Sequence, residues 1–162
     1  MIIMRVLVIS DTHRTLNKIV SLLKDIKDDI DAVIHLGDNV EDADFIKRNY
    51  KLPVYYVAGN CDYNGSALAE QVFELGGKMF YITHGHYYDV KYDPSSLVYR
   101  GMEVGADICL FGHTHEPYLE VIKNIVVMNP GSLALPRGGS KESYGIIKIE
   151  DNEIYPTIVG RR

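Results

Sequence analysis

The chain has 162 residues, of which 46% are hydrophobic and 24% charged, with a net charge of −5. That length suits one domain spanning residues 1–162, and the composition excludes collagen-like, disordered and membrane-spanning classes. The acidic balance argues against strong nucleic-acid binding, which draws its affinity from Lys and Arg on phosphates, but leaves small phosphorylated substrates open because bound metal would neutralise some carboxylates.

In chain order, Met4 to Ile9 is a β-branched apolar run that reads as a strand. Leu16, Ile19, Val20, Leu23 and Ile26 follow at helical spacing. Met4 is as good a start as Met1, and the N-terminal apolar stretch is too short for a span or a secretory leader, so a cytoplasmic protein is expected. Ala32 to Leu36 reads as a second strand, Ala43 to Tyr50 as a weak helix and Val54 to Ala58 as a third strand. Gln71 to Leu75 and Lys78 to Thr83 flank Gly76-Gly77 as a hairpin. Asp93-Pro94-Ser95-Ser96 starts a helix over Leu97 to Val104 that Gly105 stops, and Ile108 to Phe111 is a buried strand in which Cys109 is a core residue. Two hairpins close the chain, Tyr118 to Ile122 with Ile125 to Met128, and Tyr144 to Ile149 with Ile154 to Val159. With two cysteines, Cys61 and Cys109, no disulfide framework is expected. Helices early and hairpins late predict an α+β layered fold, two packed β-sheets flanked by helices.

Five of the apolar runs end in polar residues of one kind. They lead into Asp11-Thr12-His13, Gly37-Asp38-Asn39, Gly59-Asn60-Cys61-Asp62, His84-Gly85-His86 and His113-Thr114-His115. The carboxyl ends of strands in layered α/β folds are where sites form, so these segments can converge. Imidazole, carboxylate and amide donors without paired cysteines select borderline-to-hard divalent ions. In an extended segment residues two apart share a side, which lets Asp11 reach one ion with His13, and places His113 and His115 on one wall. Glycines 37, 59, 85 and 112 let the backbone pass close to the ions. Asp11, His13, Asp38, Asn60, His84, His113 and His115 make seven ligands, more than one ion takes, so two ions sharing a carboxylate such as Asp38 are expected. His35 is out of phase with Asp38 and reads as a satisfied core histidine.

These segments, in this order, resemble the motifs of calcineurin-like metallophosphoesterases, and the short length is most similar to the small YfcE-like phosphodiesterase branch that includes Vps29. The resemblance runs from about Val6 to Ser132. It implies a β-sandwich flanked by helices, with Asp11, His13 and His115 on a first ion, Asn60, His84 and His113 on a second, and Asp38 on both. It also implies Mn²⁺ as the foremost metal, with Ni²⁺, Co²⁺, Fe²⁺ or Zn²⁺ as alternatives, and two-metal hydrolysis of a small phosphodiester or nucleotide-like substrate, with Asp38, Asn60 and His86 as catalytic candidates. Asn39 and Asp62 are the nearest candidates to orient the ligands.

One position departs from the family. Many relatives carry Gly-Asn-His, the histidine standing near the leaving group, whereas this chain has Gly59-Asn60-Cys61, as the YfcE-like branch commonly does. A thiol of pKa near 8.5 is a poor acid at neutral pH, so His86 becomes either a substitute proton donor or a supporting residue. Tyr87, Tyr88 and Tyr92 form either an aromatic lip over a base or aryl group, or ordinary surface packing. Arg137 to Lys141 is favoured as a solvated turn over a mobile basic loop. The competing function is a Vps29-type interaction module with weak or no catalysis, and a nuclease is disfavoured by charge. A homo-oligomer is compatible with everything above.

Overall fold

The structure, a computed structural model, describes residues 3–62 and 67–161. Its elements run β1 (Ile3–Ile9), α1 (Leu16–Ile26), β2 (Ala32–His35), α2 (Val40–Asn49), β3 (Val54–Tyr56), β4 (Glu70–Leu75), β5 (Lys78–Thr83), α3 (Ser95–Glu103), β6 (Ile108–Leu110), β7 (Pro117–Ile122), β8 (Ile125–Pro130), β9 (Glu142–Glu150) and β10 (Glu153–Arg161). They make two five-stranded sheets, ordered β10-β9-β1-β2-β3 and β4-β5-β6-β8-β7. The layered α/β sandwich expected from the sequence is the architecture observed.

Side-chain alternation explains the layers. Val6 and Val8 of β1 face Ile82, Leu110 and Met128 of the second sheet, in a core between the sheets. Leu7 and Ile9, pointing the other way, pack with Ile19, Leu22 and Leu23 of α1 and Ile46 of α2. On the far side Tyr81, Cys109 and Val127 pack under Leu97 and Val98 of α3. Because both faces of each central strand are covered, β1, β2 and β6 are near-continuous apolar runs.

The expected boundaries hold to within a few residues, except that α2 begins at Val40, three residues before the expected start. Its first turn carries Glu41 and Asp42, unremarkable in hydropathy but suited to the positive end of the helix dipole. The three expected hairpins form, and between them β5, β6 and β8 are parallel neighbours, just as β1, β2 and β3 are. That parallelism brings the carboxyl ends of six strands to one end of the sandwich. Among the described residues no helix is long and apolar enough to cross a membrane.

Candidate metal centre

At this edge the loops are stitched together across both sheets. The Asp11 N–H donates to Gly37 O and the His13 N–H to Asp38 O, each at 3.0 Å, tying the loop after β1 to the loop after β2. The Gly112 N–H donates to His84 O at 2.9 Å, tying the loop after β6 to that after β5, and the His113 N–H donates to Asp11 Oδ2 at 3.0 Å, joining the second sheet to the first. Gly112 is indispensable to this approach, since a Cβ there would stand 2.1 Å from Ser10 Oγ and 2.8 Å from Asp11 Oδ2. Gly59 is equally constrained, because its Cβ would meet Asp38 Oδ1 at 2.1 Å.

One expectation needs correction in its reasoning. Asp11 and His13, and likewise His113 and His115, converge without being extended: their φ values are 53°, 45°, 71° and 62°. These residues sit in left-handed turns, a conformation that costs an L-residue energy and is retained only where surrounding contacts impose it.

One ligand atom from each of Asp11, His13, Asp38 and His115 lies within 4.8 Å of the others. Atoms sharing an ion at about 2.0–2.3 Å lie up to about 4.6 Å apart, so this group has the dimensions of a coordination shell. His84 joins it, with Nε2 at 3.4 Å from Asp38 Oδ2, 3.7 Å from Asp11 Oδ1 and 3.0 Å from Asn60 Oδ1. The His113 ring stands 5.1 Å from that of His84. All seven residues singled out in the sequence therefore lie at one centre, with Asp38 Oδ2 between His13 at 3.9 Å and His84.

Asp11 Oδ1 tests whether a cation fits. The Asp11 side chain is fully buried, yet this oxygen has no hydrogen-bond partner. Around it stand Nε2 of His115 at 3.3 Å, of His84 at 3.7 Å and of His13 at 4.0 Å. The Nδ1 atoms of His84 and His115 each lie 2.7 Å from a backbone carbonyl oxygen, of Leu36 and Leu135 respectively. A carbonyl only accepts, so each Nδ1 carries the proton and each neutral ring turns an Nε2 lone pair towards carboxylate or amide oxygen. Lone pairs facing lone pairs around a buried carboxylate are relieved either by a second proton on Nε2 or by a metal cation between them, and the donor set fits a divalent metal ion.

Without a metal, the carboxylates favour that second proton. Burial alone would raise Asp11 and Asp38, but hydrogen bonding to His115 and His84 and the imidazole charges outweigh it and hold both carboxyls below their ordinary range. For His84 and His115 burial is likewise outweighed, by the hydrogen bonds and charges of Asp38 and Asp11, and both are raised. Burial, then the charges of His84 and Lys91, lowers His113 to about 4, leaving its lone pair free at neutral pH.

The supporting residues divide. Asp62 accepts backbone N–H bonds from Asp38, Gly59 and Val40 at 2.8–2.9 Å and so locks the Asp38 turn. Asn39 begins α2 without a side-chain capping bond. His35 is fully buried; its Nδ1 accepts from the Gly37 N–H at 3.1 Å, and its Nε2 lies 2.9 Å from Thr12 Oγ1. Thr12 also bonds to the buried Asp42 carboxylate, which accepts from the Arg14 N–H as well. This Thr12–His35–Asp42 chain beneath the first motif was not apparent in the sequence, where Asp42 is indistinguishable from neighbouring Glu41. His86 lies beside His84 and His113, with ring centroids at 5.4 and 6.1 Å, and its buried Nδ1 has no partner. Cys61 is exposed, and its N–H donates to Asp38 Oδ1 at 2.9 Å. The three tyrosines part company: Tyr88 donates to Glu70 at 2.9 Å, Tyr87 lies against the His86 ring, and Tyr92 stands in solvent.

Comparison with known proteins agrees with this geometry. Residues 4–152 match the family described as the calcineurin-like phosphoesterase superfamily domain. The chain is 35% identical over 150 residues to a probable metallophosphoesterase, YsnB, of Bacillus subtilis strain 168, covering 92% of this chain and 86% of that protein. It is 32% identical over 114 residues to the phosphodiesterase YfcE of Escherichia coli K12, covering 65% of this chain and 56% of the other. Among solved structures, a predicted phosphoesterase of Streptococcus pneumoniae TIGR4 superposes with a TM-score of 0.85 at 29% identity, over 99% of this chain and 91% of that one. Zinc-complexed Vps29 of Entamoeba histolytica shares the fold, with a TM-score of 0.75 at 22% identity over 96% and 98% of the two chains.

Proposed function

The chain belongs to the calcineurin-like phosphoesterase superfamily, and from that membership we propose that it is a cytoplasmic phosphodiesterase using two divalent ions, Mn²⁺ foremost. Asp11, His13 and His115 would hold one ion, Asn60, His84 and His113 the other, and Asp38 both. The observation that carries the reading is the buried Asp11 Oδ1, without a donor and ringed by imidazole Nε2 atoms. Bound ions would supply Lewis acidity for the phosphoryl oxygens and an activated water as nucleophile.

The chain's own residues orient and exclude. The Leu36 and Leu135 carbonyls keep His84 and His115 in the tautomer that presents Nε2, and Asp62 holds the Asp38 turn rigid. Proton delivery to the leaving group is weak. Burial and the charge of Asp38 raise the Cys61 thiol, which makes it too weak an acid, while burial and the charge of His84 lower His86, so that near pH 7 it less often carries a proton to give. Esters whose leaving group departs without a proton are therefore favoured, which supports a diester over an alkyl monoester as substrate.

The test is kcat/KM for bis(p-nitrophenyl) phosphate and for an alkyl monoester, glycerol 1-phosphate, with Mn²⁺, Ni²⁺, Co²⁺, Zn²⁺ and Mg²⁺ in turn. The diester should be the better substrate, and Cys61→His should raise monoester hydrolysis most. A wild-type preference for the monoester would overturn the diesterase assignment. Absence of hydrolysis with every metal would favour an interaction module of the Vps29 kind.

A further inference from the structure

We propose that a cavity beside the metal centre holds the organic substituent of the substrate, and that this substituent carries a flat aromatic ring of nucleoside size. The inference rests on the phosphodiesterase reading and adds the other half of the substrate.

The cavity has a volume of about 380 Å³, within the range of small-molecule sites. Thr114 and Glu116 line it, and they alternate in sequence with His113 and His115, so one short segment separates cavity from metal centre. Phe111 and Tyr118 also line it, their rings packed with centroids 5.9 Å apart at 57°. Tyr92 belongs to the same lining and is 90% exposed, a large aromatic surface left in water. Aromatic faces on a cavity wall bind heterocyclic bases by stacking and tolerate any base identity.

Charged groups of both signs line the cavity. Asp93 accepts the Ser95 N–H at 2.6 Å at the start of α3, and Glu116 is exposed. The cavity's two cations are Lys91 and Arg137. The Arg137 N–H donates to His115 O at 3.1 Å, which anchors this residue at the boundary. A phosphodiester reaching from the metal centre into the cavity would pass Arg137 at the boundary and place its ring among the aromatic side chains.

Manganese-loaded protein is assayed with thymidine 5′-p-nitrophenyl phosphate and with methyl p-nitrophenyl phosphate. Wild type should prefer the thymidine ester, and Tyr118→Ala and Tyr92→Ala should each raise its KM about 10-fold with a smaller change in kcat, lowering the preference. Tyr92 is exposed enough that its replacement leaves folding intact. Independently of turnover, saturation-transfer NMR on EDTA-treated protein should show contact with free thymidine, weakened in Tyr92→Ala. Hydrolysis of the methyl ester without a thymidine preference or thymidine contact would overturn this proposal and leave the diesterase reading standing. Thymidine contact that Tyr92→Ala weakens, with neither ester hydrolysed, would support the cavity's ligand class and overturn the diesterase reading instead.

Discussion

Asp38 is the residue on which most of the site converges. Its Oδ2 stands between His13 and His84, its Oδ1 takes the Cys61 N–H, and its backbone N–H is held by Asp62. If it is the shared ligand, Asp38→Ala should empty both metal positions. Elemental analysis of purified protein should give two ions per chain for the wild type and none for the variant; two ions retained in Asp38→Ala would refute the sharing. His86 is a contrasting case, beside the imidazoles of the centre but with no bond to a carboxylate. His86→Ala should lower turnover about 10- to 100-fold while metal content stays constant, the range for groups that support a metal site or a proton transfer. A parallel fall in metal content would make His86 a ligand.

At the scale of elements, the first motif is held from below by a helix. Asp42, in the first turn of α2, reaches the loop after β1 through the Thr12 hydroxyl and the Arg14 N–H, and His35 of β2 completes the chain. Asp11, His13 and Arg14 all have left-handed φ values, so the loop needs such support to keep its shape. Thr12→Val removes the hydroxyl at nearly constant volume and leaves a buried carboxylate short of a donor. Urea unfolding in EDTA should show a loss of about 1–3 kcal/mol, and metal titration about a 10- to 100-fold weaker affinity. A variant with unchanged affinity would show that the loop holds its geometry without α2. Asp42 could not be singled out beforehand because its neighbour Glu41 has the same charge and first-turn position; only the fold shows which of the two is buried.

At the scale of the whole molecule, the centre links metal, pH and stability. In the metal-free protein His84 and His115 are raised above 6.5 by the carboxylates. A group raised in the folded state adds stability that is complete below its unfolded pKa and is lost as pH rises through the folded one. Metal binding runs the opposite way, since an ion must displace those same protons and gains affinity as pH rises. The Tm difference between Mn²⁺-loaded and EDTA-treated protein should therefore widen from pH 6 to pH 8, readable by calorimetry at fixed free metal; a difference that narrows would contradict the assignment of these imidazoles as ligands. The sequence by itself determined the layered fold class, the order of most elements and the identity of the seven residues that meet at the centre, because apolar periodicity and polar strand ends are local properties of the chain. The tertiary structure alone decided three things: the parallel pairing of β5, β6 and β8, the left-handed turns at Asp11 and His113, and the cavity joining Tyr92, Tyr118 and Arg137. Each depends on contacts between segments far apart in the chain, and those contacts exist only once both sheets have packed face to face.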